Sequence, residues 1–198
     1  EPVVVLRDRT DRLRAFSTVC RHRGMALVEG KGKAAVLTCP YHAWSYDLDG
    51  RLRKAPYMEQ VAGFDADACS LPEFALEEWR GFIFVNTRSN APPLAPDLAS
   101  LEPHVANYRF EERHSTETWC EEWQTNWKAL IENFMEGYHL SVTHATTLDH
   151  ITPTELCEKL ASGRAFTAYR SNYRDASQQR EPFPEELTAQ ERRSSVLF

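Results

Sequence analysis

Cys20-Arg21-His22 and Cys39-Pro40-Tyr41-His42 each place one thiolate and one imidazole within a few residues. A C-x-H paired with a C-x-x-H suits a 2Fe-2S cluster in which two thiolates hold one iron and two imidazoles the other, because each loop supplies one ligand of each kind. The neutral imidazoles raise the reduction potential above that of an all-thiolate cluster, and an exposed ring N–H offers the electron an exit. Gly24 and Pro40 predict tight turns closing over the inorganic sulfides. Zinc is the rival occupant, since two Cys and two His can form a tetrahedral site, yet zinc fingers usually group Cys with Cys and His with His.

A second constellation lies in Glu132-Asn133-Phe134-Met135-Glu136-Gly137-Tyr138-His139, followed by His144. Two imidazoles and a nearby carboxylate suit a mononuclear ferrous site with positions left open for dioxygen and substrate. Glu136 and His139, three residues apart, share a helical face. His144 follows His139 at i+5, about 140° around an ideal α-helix, so the spacing predicts that the backbone widens or breaks between them. Asp149 and Asp175 are the Asp residues after His144, and both sit among turn and polar residues, so neither is read as a metal ligand.

These residues must be positioned by two kinds of structure. The first ninety or so residues read as short strands separated by turns: Val3 to Arg7, Leu13 to Val19, Ala35 to Thr38, Trp44 to Tyr46, Arg51 to Lys54, Leu76 to Trp79 and Phe82 to Asn86. Asp8 to Asp11 and Asp47 to Gly50 are the predicted tight turns. Residues 89–96 hold three prolines and form the expected connector, dividing a domain over 1–92 from one over 93–198. Beyond it, Asp97 to Tyr108 predicts a helix capped by Asp97, and Thr116 to Gln124 alternates as a strand. From Asn126 to about Leu140 the residues Trp127, Leu130, Ile131, Phe134, Met135 and Tyr138 recur at helical spacing, which predicts a helix with one core face. The fold class is therefore α+β: an all-β domain, then the first part of a helix-on-sheet domain.

With Arg23-Gly24 after the first ligand pair and Ala43-Trp44 after the second, the N-terminal segment resembles the Rieske domain of the Rieske non-haem iron ring-hydroxylating oxygenases. Rieske subunits of respiratory complexes carry an extra, disulfide-forming cysteine in each loop, and the corresponding neighbours here are not cysteine. A Rieske ferredoxin would be complete near residue 90, whereas this chain runs on through His139 and His144. The resemblance implies that Cys20, His22, Cys39 and His42 hold the cluster and that His139 and His144 bind the mononuclear Fe(II). It implies that Glu136 is the acid that bridges to a Rieske histidine of a neighbouring subunit. Asn133 is placed near the iron, and the third iron ligand, an Asp, is expected beyond residue 198. By the same resemblance, Glu at position 136, where many ring-hydroxylating members have Asp, points to a quaternary ammonium substrate.

The implied function is oxygenation of a small organic substrate, aromatic or quaternary amine, with O2 and electrons from a ferredoxin or flavin reductase. The implied assembly is a homotrimer, with or without a β subunit. A Rieske electron-transfer protein without oxygenase chemistry is the alternative.

Composition agrees with a folded domain and narrows its partners. Hydrophobic residues make up 42% of the 198, and a net charge of −6 argues against sequence-independent nucleic-acid binding, which needs a basic face. No apolar run approaches the roughly 20 residues of a membrane span. Five cysteines at irregular spacing make a poor disulfide framework and suggest a reducing, cytoplasmic setting, with Cys69, Cys120 and Cys157 as partly buried free thiols. His104, His114 and His150 are expected at the surface. Because the chain begins and ends in apolar strand-like segments, it is read as a fragment.

Overall fold

The computed structural model describes residues 1–114, 118–178 and 185–197, and the chain divides into two compact units, Glu1–Pro92 and Pro93–Phe198. In the first, β1 (Val3–Arg7), β2 (Leu13–Ser17), β6 (Glu73–Trp79) and β7 (Phe82–Asn86) form an antiparallel sheet in the order β1-β2-β6-β7. A smaller antiparallel sheet orders β3 (Leu37–Thr38), β4 (Ser45–Tyr46) and β5 (Leu52–Lys54). The turn between β1 and β2 is held by the Asp8 carboxylate, which accepts from the Thr10 backbone and hydroxyl, the Arg12 N–H and Arg14 Nε. The Thr10 hydroxyl and then the Arg14 guanidinium keep Asp8 well below the usual carboxylate range. Strand β2 stops at Ser17, short of Val19, because Val19 leaves the sheet to form an isolated bridge with Ala26.

The core of this unit contains Phe16, Leu27, Leu37, Trp44, Tyr46, Ala55 and Leu71 together with Cys20 and Cys39. Both cysteines that the sequence singles out thus lie inside the packed interior rather than on loose loops. Gly50 closes the Asp47 to Gly50 turn at φ +86°, and a Cβ there would stand 2.5 Å from Phe16 Cε1. Gly50→Ala therefore combines a strained left-handed residue with overpacking, and is expected to cost this unit about 3 kcal/mol, read as a lowered denaturation midpoint.

The second unit carries a three-stranded antiparallel sheet ordered β10-β9-β8, from β8 (Cys157–Lys159), β9 (Tyr169–Asn172) and β10 (Ser194–Leu197). The unit also contains short helices: α1 (Ala95–Leu98), α2 (Glu102–Val105), α3 (Trp127–Phe134), α4 (Leu140–Thr143) and α5 (Ala189–Arg193). Thr188 and Glu191 form a reciprocal capping box that starts α5.

Several expectations are corrected here. The helix predicted over Asp97 to Tyr108 is broken into α1, α2 and a 3-10 turn at Ala106–Tyr108. Pro103 has no N–H to give Ala99, and its ring would clash with that carbonyl, so no continuous helix can pass. Asp97 lies within α1, whose N-cap is Leu94. The strand predicted over Thr116 to Gln124 is absent from its described residues, 118–124; Thr116 and Glu117 lie outside the described residues. Alternation alone does not make a strand without a partner to complete the ladder, and Trp119 and Trp123 are exposed. Helix α3 ends at Phe134 rather than near Leu140, and its apolar face is not buried within this unit: Trp127, Ile131 and Phe134 are exposed. Periodicity marks the face that seeks a partner and says nothing of where the partner lies. Cys120 is exposed, and His104 is partly buried with Nδ1 3.4 Å from Arg170. Among the described residues no helix is long and apolar enough to cross a membrane.

Candidate metal centres

The two ligand loops of the first unit are built alike. In one, Cys20 N–H donates to Met25 O at 2.8 Å and Gly24 N–H to Cys20 O at 3.0 Å. In the other, Cys39 N–H donates to Trp44 O at 2.7 Å and Ala43 N–H to Cys39 O at 3.0 Å. Each turn needs a left-handed residue four positions after its cysteine: Gly24 at φ +71° and Ala43 at φ +58°. Gly24 was legible as a turn residue. In the second loop, however, the turn is completed by Ala43 rather than by Pro40, and no sequence cue identifies an alanine at positive φ.

The thiols and imidazoles face different environments. Cys20 and Cys39 are 2% and 3% exposed, whereas His22 and His42 lie at the surface. The two imidazole rings approach edge to face with centroids 4.6 Å apart, and Trp44 stacks on His22 at 4.9 Å. Partial desolvation, then the nearby His42 and Arg23, push His22 below its ordinary value, which favours the neutral ring that a metal requires. This donor set fits a 2Fe-2S cluster: two buried sulfurs, two converging imidazoles, and an outward edge for the electron. Among the described residues no three His, Cys, Asp or Glu side chains gather around one point that could hold an ion. A two-iron cluster does not ask for that, because it divides its four protein ligands two to each iron.

Tyr46, which sequence reasoning did not single out, is fully buried behind the loops. Its hydroxyl accepts the Arg21 N–H at 3.0 Å and lies 3.4 Å from Cys20 Sγ, so its own proton is free to point at the sulfur. Burial and then the Cys20 contact push the phenol far above its ordinary value, keeping it a donor. The i, i+2 pairing of Trp44 with Tyr46 was the available signal that both point inward. Tyr46→Phe is expected to lower the cluster potential, because a hydrogen bond to a ligand sulfur favours the more negative, reduced state. A differential of about 1 kcal/mol between redox states corresponds to roughly 40 mV for one electron, which protein-film voltammetry resolves.

In the second unit, Asn126 caps α3 by accepting the Lys128 N–H at 2.9 Å. The helix ends because the Glu136 carboxylate takes the Tyr138 N–H, offering the backbone a partner outside the helix, and because Gly137 is a poor helix former. Asn133 is exposed on the last turn of α3. His139 and His144 flank the single turn of α4 as its N-cap and C-cap, with ring centroids 5.3 Å apart. The irregularity expected between them is at the two ends instead. The Thr143 and His144 amides complete ordinary helical bonds to His139 and Leu140, while His144 itself departs to φ −108°, ψ 27°.

Each of these rings has a protein partner at Nδ1. Glu136 Oε1 engages His139 Nδ1, and the Thr147 hydroxyl lies 3.4 Å from His144 Nδ1. A proton held on Nδ1 leaves the lone pair on Nε2, the arrangement that suits a metal-binding imidazole. Partial burial would raise the Glu136 carboxyl, but the His139 ring and the Tyr138 N–H outweigh it and hold the group below its ordinary value. Gly137 is buried against β8 and β9, where a Cβ would fall on Cys157 Sγ and the Tyr169 hydroxyl. Two imidazoles on one turn, with a carboxylate fixing one of them, fit two of the positions of a mononuclear ferrous site. Asp149 is not a third ligand in this arrangement, since Ser141 Oγ donates to its carboxylate at 2.5 Å and Arg174 lies 3.6 Å away. Asp175 is occupied by the Ser177 N–H at 2.8 Å.

Residues 1–65 match the family model for the Rieske [2Fe-2S] domain, and residues 105–197 match that for the ring hydroxylating alpha subunit catalytic domain. The chain is 40% identical over 159 residues to the carnitine monooxygenase oxygenase subunit of Escherichia coli (strain K12), covering 76% of this chain and 41% of that protein. It is also 40% identical over 149 residues to the glycine betaine monooxygenase oxygenase subunit of Pseudomonas aeruginosa (strain UCBPP-PA14), covering 74% of this chain and 34% of that protein. The chain thus spans about two fifths or less of the length of these curated relatives. A solved structure of a quaternary ammonium Rieske monooxygenase superposes with a TM-score of 0.79 at 31% identity, covering 87% of this chain and 48% of that one.

Proposed function

The chain belongs to the Rieske non-haem iron ring-hydroxylating oxygenase large-subunit family, and from that premise we propose that it acts within the terminal oxygenase component of a multi-component oxygenase. Its substrate is a small quaternary ammonium compound, oxidised with O2 and electrons drawn from a separate ferredoxin or flavin reductase. The observation that carries this reading is the Glu136–His139–His144 arrangement, in a chain that also carries the Rieske loops. A Rieske carrier needs the loops alone. The substrate class is supported by the names of the relatives and by Glu at position 136.

When bound, the cluster on Cys20, His22, Cys39 and His42 would supply single electrons, and ferrous iron on His139 and His144 an open face for dioxygen. The protein's own part is positional and electrostatic. His22 and His42 present the cluster edge at the surface, where an electron can leave, while the buried Cys20 and Cys39 sulfurs stay away from water. Glu136 holds the proton on His139 Nδ1 and spends one further lone pair on the Tyr138 N–H. A carboxylate has about four acceptor sites, so Glu136 retains capacity for an imidazole N–H from a neighbouring subunit. Glu136 would then be the residue that links a Rieske histidine of a neighbouring subunit to His139, a role that needs an oligomer such as the homotrimer.

The test is low-temperature EPR on anaerobically purified protein before and after dithionite, with iron and acid-labile sulfide measured on the same sample. The expected result is a mixed-ligand 2Fe-2S signal that appears on reduction and is lost in His42→Ala. Zinc without sulfide would overturn the reading. Oxygen uptake coupled to oxidation of carnitine or glycine betaine supports the substrate class; uptake coupled only to an aromatic carboxylate replaces it.

A further inference from the structure

The turn that carries His139 and His144 is gripped by a strap from the following segment, residues 149–154. Thr154 Oγ1 donates to Gly137 O at 2.7 Å, two residues before His139, and accepts the Ser141 N–H at 3.1 Å. Ser141 Oγ reciprocates, accepting the Thr154 N–H at 3.1 Å and donating to Asp149 Oδ1 at 2.5 Å. At the far end, the Asp149 N–H donates to His144 O at 3.1 Å. Asp149 is anchored in turn by Arg174, whose guanidinium lies 3.6 Å from its carboxylate and donates to its backbone carbonyl at 3.3 Å. Both hydroxyls are thus used as donor and as acceptor, and the strap touches the turn before the first histidine, at its middle and at the second histidine.

We propose that Thr154, Ser141 and Asp149 are positioning residues that set the separation of the His139 and His144 rings, and that Thr154 is the central one. A four-residue helix cannot set that separation by itself. It has too few internal hydrogen bonds to resist fraying, and isolated helices much longer than this are marginal in water. His139 and His144 sit on its two caps, the positions that fray first. A metal site tolerates little error in ligand placement, so the rigidity must come from outside the turn. The reciprocal Ser141–Thr154 pair supplies it, with Gly137 held from behind by close packing against Cys157 and Tyr169. Their side-chain hydrogen bonds go to backbone and to one another rather than to either imidazole, so their action on a metal passes through the backbone. The proposal rests on the reading of His139 and His144 as iron ligands.

The test uses cluster-loaded protein from which the mononuclear iron has been removed by a mild chelator. Ferrous iron is titrated back anaerobically, and Co2+ is titrated separately, because its visible bands report coordination geometry. Thr154→Val removes the hydroxyl at nearly constant volume and is expected to weaken Fe2+ binding about tenfold and change the Co2+ bands, while the cluster spectrum stays unaltered. Thr154→Ser should restore both, and Ser141→Ala provides a second route to the same loss if Thr154→Val folds poorly. Unchanged affinity and bands in Thr154→Val and Ser141→Ala, with metal lost in His139→Ala, would overturn the positioning role and leave the iron reading standing. Equal loss of thermal stability in Thr154→Val and Thr154→Ser with no change in affinity would also overturn it. Metal bound normally in His139→Ala would remove the iron reading, and this proposal with it.

Discussion

If His139 and His144 hold the iron as proposed, His139→Ala and His144→Ala are each expected to abolish turnover and to lower ferrous affinity at least about 100-fold while leaving the reduced cluster signal intact. That expectation follows from the division of the donors between two separate units. The loops that fit the cluster belong to Glu1–Pro92, and the two histidines to Pro93–Phe198. Losing even an outer partner of a metal ligand typically costs 10- to 100-fold in affinity, and losing one of two imidazoles costs more. Because Glu136 secures the proton of His139 while Thr147 lies against His144, the two variants need not be equal. The His139 variant also strands a carboxylate that has lost its imidazole partner. Metal analysis paired with product formation checks the prediction, and full iron occupancy with normal turnover in either variant removes that histidine from the site.

Glu136→Gln separates binding from electron delivery. The side chain keeps its shape and one oxygen, so both metals should stay bound. The charge that favours a proton on His139 Nδ1 and that would receive a neighbouring imidazole N–H is gone. A hydrogen bond to a charged group is worth roughly 1.5–3 kcal/mol, so its loss slows the step it supports by about 10- to 100-fold. Rapid mixing of the fully reduced protein with substrate and O2 reads that step directly as the rate of cluster reoxidation. A wild-type rate would sink the bridging assignment, and loss of mononuclear iron would make Glu136 part of the binding site instead. Since Glu136 is held below its ordinary value by His139 and the Tyr138 N–H, it is already ionised at neutral pH, and the variant acts by removing that charge.

The cluster loops show how far residue types can carry an argument. A thiolate and an imidazole in each of two loops leave few chemistries, but it is folding that turns the Cys20 and Cys39 sulfurs inward and leaves His22 and His42 toward solvent. Much of the first unit's strand pattern was legible too, because short apolar runs between turn residues are a local property: β1 and β7 fall where those runs place them, while β6 begins three residues earlier than expected, at Glu73. The turn geometry was not legible. Ala43 at φ +58° is imposed by the β3–β4 pairing and the close of the loop on Cys39, which no preference of alanine foretells. Tyr46 beside Cys20 Sγ is likewise a contact across 26 positions of sequence.

In the second unit local signals misled wherever a long-range partner was needed. Pro103 should have broken the helix over Asp97 to Tyr108 on sequence grounds alone, because its lost N–H is a covalent fact. The alternation before Gln124 and the amphipathic face of α3 are real patterns whose outcome depends on what packs against them. The Glu-x-x-His spacing did determine that a carboxylate could reach an imidazole, since three residues keep two side chains adjacent in a helix or in a tight turn. Residue order thus settles the inventory of donors, their hardness and their local adjacency. Tertiary structure alone decided their geometry: which backbone twist each loop adopts, which hydroxyl meets which sulfur, and how a one-turn helix is held still by Ser141, Thr154 and Asp149. The reason is that bond-forming capacity is a property of each residue, whereas separation is fixed by contacts between segments that the chain brings together only on folding.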